Sequence, residues 1–231
     1  MMNKKSNKIK ATVIALTLVA CLAVAGVSAY FTDAADVTNT FTIGEVKLEM
    51  TEPNYPGNNS DDVKDITPNK TVQKDPTVTN TGINSEYVFV TVSVPYAENL
   101  VVANAAGEKQ AAADTQLFTY AINNGWTEIS KVKNADDKTF DYVYAYGSGT
   151  ALSALPAEDN AETAEVKEDQ TSALFNSITF VNAVEGQSLE KTSQDIKIDA
   201  YAIQADNLTS ADPAAVWNII CAQREVDAAI R

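Results

Sequence analysis

The sequence predicts a mainly β chain with antiparallel pairing, a short C-terminal helix and an apolar leader ahead of the folded part. Three observations carry this. Valine, threonine, isoleucine and aromatic residues recur in short alternating runs broken by Asn, Gly, Asp and Pro, as half-buried antiparallel strands require. The clearest run, EYVFVTVSVPY (86–96), places Val88, Val90, Val92 and Val94 on one face and Tyr87, Phe89, Thr91 and Ser93 on the other. Near the end, Asp212-Pro213 offers an N-cap followed by proline at the first helical position.

The leader comes first. Residues 1–10 carry Lys4, Lys5, Lys8 and Lys10 and no acid, and residues 11–29 form an uninterrupted stretch of small and apolar residues closed by Val27-Ser28-Ala29. A basic segment, an apolar segment and a small-x-small end describe a secretory signal peptide, cut between Ala29 and Tyr30. Two alternatives are a retained membrane anchor, since the stretch is nearly long enough to span a bilayer, and a lipobox at Leu18-Val19-Ala20-Cys21 with lipidation of Cys21. Against the latter, residues 22–27 continue apolar, and Cys21 reads as one more small hydrophobe.

Strands are expected at 38–50, 71–80, 86–96, 118–123, 126–132, 139–146 and 195–204. In the first, apolar parity shifts across Gly44, from Phe41 and Ile43 to Val46, Leu48 and Met50, which a bulge at the glycine explains. Pro76 marks the second as an edge strand or a bulge, because proline cannot donate to the ladder. The turn cluster 79–85 separates it from the third. In TFDYVYAY, Phe140, Tyr142, Tyr144 and Tyr146 form a stripe that reads as sheet packing, with a sugar-binding platform as the alternative. Residues 52–70 read as a long loop, 97–116 as loop or short helix, and the six-acid stretch 156–170 as a solvated loop. That stretch lacks calcium-loop spacing, although a calcium site there stays open. The terminal helix is expected over 213–229, with Ala215, Val216, Ile219, Ile220 and Gln223 at helical spacing and an apolar face packed on its own sheet.

Composition narrows the function. There are 17 Lys+Arg against 31 Asp+Glu, a net charge of −14, and no histidine. Removing the 29-residue leader leaves 202 residues, takes away four lysines and lowers the charge to −18. Such a chain is a poor partner for nucleic acid, which needs clustered cations, and it is expected to hold no membrane contact after cleavage. Without imidazole there is no Ser-His-Asp triad, Cys-His dyad or HExxH site. Only Cys221 remains after the leader, so no intramolecular disulfide forms. No cofactor and no metal site is expected.

Three stretches resemble one family, the TasA/camelysin (CalY) proteins of Gram-positive bacteria, whose leaders are cut by the signal peptidase SipW. At the junction the matching residues are Ala29, Tyr30, Phe31, Thr32 and Asp33, then Asn39, Phe41, Gly44, Val46 and Leu48. In 66–94 they are Pro68, Lys74, Val78, Asn80, Thr81, Gly82, Tyr87 and Val88, with Asn69 where the family usually has glycine and Phe89 where arginine is frequent. The third stretch, 198–208 before Ala215 and Trp217, is similar to the family's final strand and helix.

The resemblance implies a jelly-roll-like β-sandwich over 30–231 and a secreted or surface-associated structural protein that assembles into biofilm-matrix fibres. It also implies that the segment holding Tyr30, Phe31, Asp33, Val37, Asn39 and Phe41 adds as a strand to the next subunit, a head-to-tail contact that propagates. Pairing of the same segment within its own sheet is the alternative. A monomeric adhesion module using the tyrosine stripe is a second reading. The metallopeptidase activity attributed to camelysin is a third, disfavoured by the lack of histidine and by a single mature cysteine.

Overall fold

The computed structural model describes residues 46–148, 151–157, 168–206, 208 and 211–224. The chain divides into two units, Met1–Ile43 and Gly44–Arg231, and every described residue belongs to the second. The described part is an antiparallel β-sandwich, as expected. Its strands are β1 (Leu48–Thr51), β2 (Thr71–Gln73), β3 (Thr77–Asn80), β4 (Glu86–Leu100), β5 (Ala113–Gln116), β6 (Phe118–Thr119), β7 (Trp126–Asn134), β8 (Thr139–Ser148), β9 (Ala151–Leu152), β10 (Ser177–Phe180) and β11 (Lys197–Gln204). Helix α1 spans Pro213–Arg224.

The main sheet runs β11-β4-β8-β7, with β5 paired to the far end of β4 and β9 to the end of β8. Register aligns Val90 with Ala200 and Tyr144, and Val92 with Ile198 and Tyr142. One face therefore carries Val88, Val90, Val92 and Val94 beside Tyr142 and Tyr144, all buried. It packs against Val78 of β3, Val72 of β2, Phe118 of β6 and Ile178 of β10, which belong to the smaller sheets β1-β3 and β2-β10-β6. Full burial of each valine contributes about 1.5–3 kcal/mol.

The opposite face of β4 and β8 is buried too. Phe89, Val143 and Ala145 form a second core with Val216, Trp217, Ile220 and Cys221 of α1. The Phe89 and Trp217 rings lie 5.5 Å apart and Tyr201 meets Trp217 edge-on at 5.4 Å. The helix starts where its sequence says: the Val216 amide donates to the Asp212 carbonyl at 3.1 Å. Its buried stripe differs from the expected one. Pro213, Val216, Trp217, Ile220 and Cys221 face the sheet, while Ala215, Ile219 and Gln223 are exposed. Residues 225–231 lie outside the described residues, so the expected end at 229 has no counterpart here.

Three expectations change. The single strand 71–80 is two, because Lys74-Asp75-Pro76 crosses from the β2-β10-β6 sheet to the β1-β3 sheet. Pro76 cannot continue a ladder, and the Asp75 carboxylate holds the crossing by accepting from the Asn54 amide (2.9 Å) and side chain (2.7 Å). Of residues 97–116, expected as loop or short helix, 101–112 are loop and the two ends are strand: β4 runs on to Leu100 and β5 (Ala113–Gln116) returns along it, with an irregularity between Ala97 and Leu100. The strand expected at 118–123 stops at Thr119, since Tyr120 turns into the core against Phe175, 4.4 Å between rings. Strand β10 falls in a stretch that carried no strand expectation. Of the expected strand 38–50, only Leu48–Met50 is described as strand, and the Gly44 bulge lies outside the described residues.

The β3–β4 turn is organised by Asn80, which is fully buried. Its side-chain amide donates to the carbonyls of Asn84 (2.9 Å), Leu155 (3.2 Å) and Pro156 (2.8 Å), and its oxygen accepts from the Gly82 amide at 2.8 Å. Replacing it strands several buried polar groups at once, so Asn80→Ala is expected to lower unfolding free energy by on the order of 3 kcal/mol, read from urea denaturation. Gly147 has φ +151°, and a Cβ there would stand 2.3 Å from the Ala151 carbonyl oxygen and 2.8 Å from the Leu152 Cα. Both are backbone, so Gly147→Ala is expected to cost about 2 kcal/mol in the same measurement, through displacement of β9.

Candidate functional site

The residues marked out by sequence fall into separate places. Ala29, Tyr30, Phe31, Asp33, Val37, Asn39, Phe41 and Gly44 lie outside the described residues. Pro68 is exposed in the turn before β2, where the Lys70 amide donates to the Thr67 carbonyl at 3.0 Å. Asn69 beside it has φ +63°, the left-handed region, which explains why asparagine serves where the resembling family usually has glycine. Asn80, Thr81 and Gly82 build the β3–β4 turn, and Tyr87 is half-buried beside the helix-side core. The Thr81 amide donates to the Lys47 carbonyl at 2.9 Å, fastening the entry to β1.

The aromatic stripe is core. Tyr142 and Tyr144 are 5% and 2% exposed, stacked with rings 5.9 Å apart. Their hydroxyls are engaged, Tyr144 with the Tyr120 hydroxyl (3.0 Å) and Tyr142 with the Gln116 side chain (2.5 Å). Burial pushes the Tyr120 and Tyr144 hydroxyls up, beyond the normal tyrosine range. Lys131 lies over the Phe140 and Tyr142 rings at 5.2 and 5.0 Å, covering the stripe's outer end. The platform reading is thereby corrected: half of the stripe offers no surface to a sugar.

A groove of about 300 Å³ opens between β1 and β11, lined by Met50, Glu52, Lys74, Ile196 and Ile198. Both strands end their sheets in the strand order, so among the described residues each has an outer edge without a ladder partner. Met50, Ile196 and Ile198 bring apolar atoms to it, and Glu52 and Lys74 bring charge. At one end the Lys74 ammonium meets both Glu52 oxygens, at 2.7 and 2.9 Å, and sits 4.6 Å from the Tyr55 ring centroid. Both partners of that pair are largely shielded, with side chains 12% and 22% exposed. Desolvation, and after it the charges of Glu52 and Asp195, raise the Tyr55 hydroxyl above its ordinary value. Lys74, marked by sequence, thus fixes the groove's polar end.

The start of β4, an inner strand of the main sheet, carries a carboxyl that the sequence pattern did not single out. Glu86 opens β4 on the parity of the four valines and is fully buried. Neither of its side-chain oxygens has a hydrogen-bond partner. Its backbone exchanges two hydrogen bonds with Leu155, at 2.8 and 2.9 Å. Burial without a donor pushes the carboxyl up to about 7. The signal was available: an acid on the apolar parity of an otherwise all-valine face.

A protein-family model described as camelysin metallo-endopeptidase matches residues 4–190, well over half of the chain. None of the curated proteins matches. The description implies a metal, and the described donor set does not fit one. The chain has no histidine, and Cys221 is buried in the helix-side core. No group of three or more Cys, Asp or Glu side chains among the described residues stands close enough to hold an ion. Among those residues, too, no helix is long and apolar enough to cross a membrane. The extent of the family match, from residue 4 through β10, decides the matter: this chain belongs to the camelysin family.

Proposed function

We propose that the protein is a secreted, non-catalytic structural component of the extracellular matrix or cell surface, exported through a SipW-type signal peptidase and assembled head-to-tail. The groove between β1 and β11 carries this reading. β1 and β11 each end a sheet among the described residues, and an end strand takes on one added strand through main-chain hydrogen bonds and alternate side chains. The sequence supplies a strand of the right character. In 30–41, Phe31, Val37 and Phe41 share one parity with Asp33 and Asn39, while Thr32, Asp36, Thr38 and Thr40 occupy the other. Laid along Met50, Ile196 and Ile198, the first parity buries its aromatic rings. A contact between the front of one copy and the groove of another is heterologous, so it propagates as a filament.

The family description supports a second reading, endopeptidase activity, and a direct assay separates the two. Residues 30–231 are expected to form filaments in negative-stain micrographs, and the same chain without residues 30–40 is expected to remain folded and monomeric. Met50→Lys with Ile198→Lys, which places two charges on the groove floor, should reduce filament mass at least tenfold while leaving the far-ultraviolet circular dichroism intact. Filaments that persist in the groove variant would remove the β1–β11 slot as acceptor. On casein the intact protein is expected to release no fragments, with or without a chelator; chelator-sensitive cleavage would instead establish the peptidase.

A further inference from the structure

The corner around Glu86 has a construction of its own. The acidic stretch 156–170 is fastened there at both ends. Its first end is Leu155-Pro156, held by the Glu86 backbone and by the Asn80 side chain. Its second end is Asp169-Gln170, where the Asn80 amide donates to the Asp169 carbonyl (2.8 Å) and the Gln170 side chain donates to the Thr79 hydroxyl (3.0 Å). The Thr171 amide then donates to the Val78 carbonyl at 2.8 Å. Both ends of the acidic stretch and the entry to β1 at Lys47 therefore meet at the β3–β4 turn, and the Leu155 end is paired directly with the backbone of Glu86.

We propose that Glu86 is a proton-operated latch: with its carboxyl protonated the corner is closed, and ionisation loosens both ends of the acidic stretch and the β3–β4 turn. Nothing described at the corner can neutralise the ionised form. From β3 comes Asn80, whose amide protons are committed to carbonyls; from the β9 side come Leu155 and Pro156; from β11 comes Gln204, the cross-strand partner. The returning segment brings Glu168 and Asp169, both acids. The lysine at the corner, Lys47, is exposed to solvent, and it is tied to the turn through its carbonyl, which accepts from the Thr81 amide. An ionised carboxylate enclosed in this way has lost its water and gained neither a donor nor a counter-ion, and loosening restores the water.

The sign follows from linkage. The folded carboxyl holds its proton to higher pH than the unfolded one, so its contribution is complete below the unfolded value. It is lost as pH rises through the folded value of about 7. The latch is then closed in mildly acidic surroundings and loosened in mildly alkaline ones. It rests on the corner alone and is independent of strand addition at the β1–β11 groove.

Glu86→Gln keeps the shape and removes the charge. At pH 8 the variant is expected to melt several degrees above the wild type, on the order of 3–6 °C for a domain of this size, and at pH 4, below the unfolded value, the two should melt together. Amide exchange at residues 80, 86, 155 and 171, compared between the two proteins at the same pH, should be at least tenfold faster in the wild type at pH 8 and equal at pH 4, below the unfolded value. In the wild type, carbon NMR of the glutamate carboxyls should show one resonance titrating with a midpoint near 7. A glutamine variant equally destabilised at both pH values, or the absence of any glutamate titrating above pH 6, would overturn the latch.

Discussion

Burial of β4 on both faces is the constraint on which the rest of this molecule depends. A strand solvated on one side needs one covering layer, but β4 alternates Val88, Val90, Val92 and Val94 with Phe89, and both parities are withdrawn from water. The valine side requires the two smaller sheets, and the Phe89 side requires α1. Strand order, helix placement and the direction of the tyrosine stripe follow from these demands, because β8 and β11 align their own alternation with that of β4. Cys221 is a free thiol buried in the helix-side core, so the described part is held by this double burial and not by a disulfide at that cysteine.

The same alternation creates the molecule's least comfortable place. Extending the valine parity one step toward the start of β4 puts Glu86 in the core, where a further valine would close the sandwich without charge. Asn80 answers the polar requirements of the neighbouring backbone, satisfying three carbonyls and one amide, but it has no donor left for the carboxylate. The corner is consequently well bonded along its main chain and uncompensated at one side chain. That combination makes protonation decisive there, while exposed acids such as Asp61 and Asp62 meet only solvent-facing lysines, Lys64 and Lys70.

Ion pairing follows a similar division. Lys74 and Glu52 pair in a shielded position beside Tyr55 and shape the end of the β1–β11 groove. Lys133 with Asp114 and Lys138 with Glu98 sit on the surface, where they orient the β4–β5 and β7–β8 hairpin ends and contribute little to stability. Lys131 and Lys133 also lie on β7, an end strand of the main sheet, where charged side chains discourage edge-to-edge pairing. Of the two ends of that sheet, β7 is guarded by lysine and β11 borders a groove where Met50, Ile196 and Ile198 stand beside the Lys74–Glu52 pair, so the sandwich is asymmetric in what it offers a partner.

The sequence by itself determined the class of fold, the strands long enough to show several alternations, the start of the helix and the family. Runs such as 86–96 and 139–146 repeat their period four times, which leaves no doubt about the face each residue occupies. It also marked Asn80, Gly82 and Lys74 without saying what they do. Tertiary structure decided everything that depends on which sheet a short segment joins. Strand β10 has four residues, too few to set a period; Pro76 divides two strands because two sheets lie on either side of it; and the two ends of the alanine-rich stretch 97–116 are strand because β4 and β5 pair there. The meaning of Glu86 belongs to the same class. A glutamate at the start of a strand is ordinarily solvated, and here Leu155, from more than sixty residues away, pairs with its backbone in a fully buried position. Local pattern reports a residue's face, and burial is set by what the rest of the chain brings to that face.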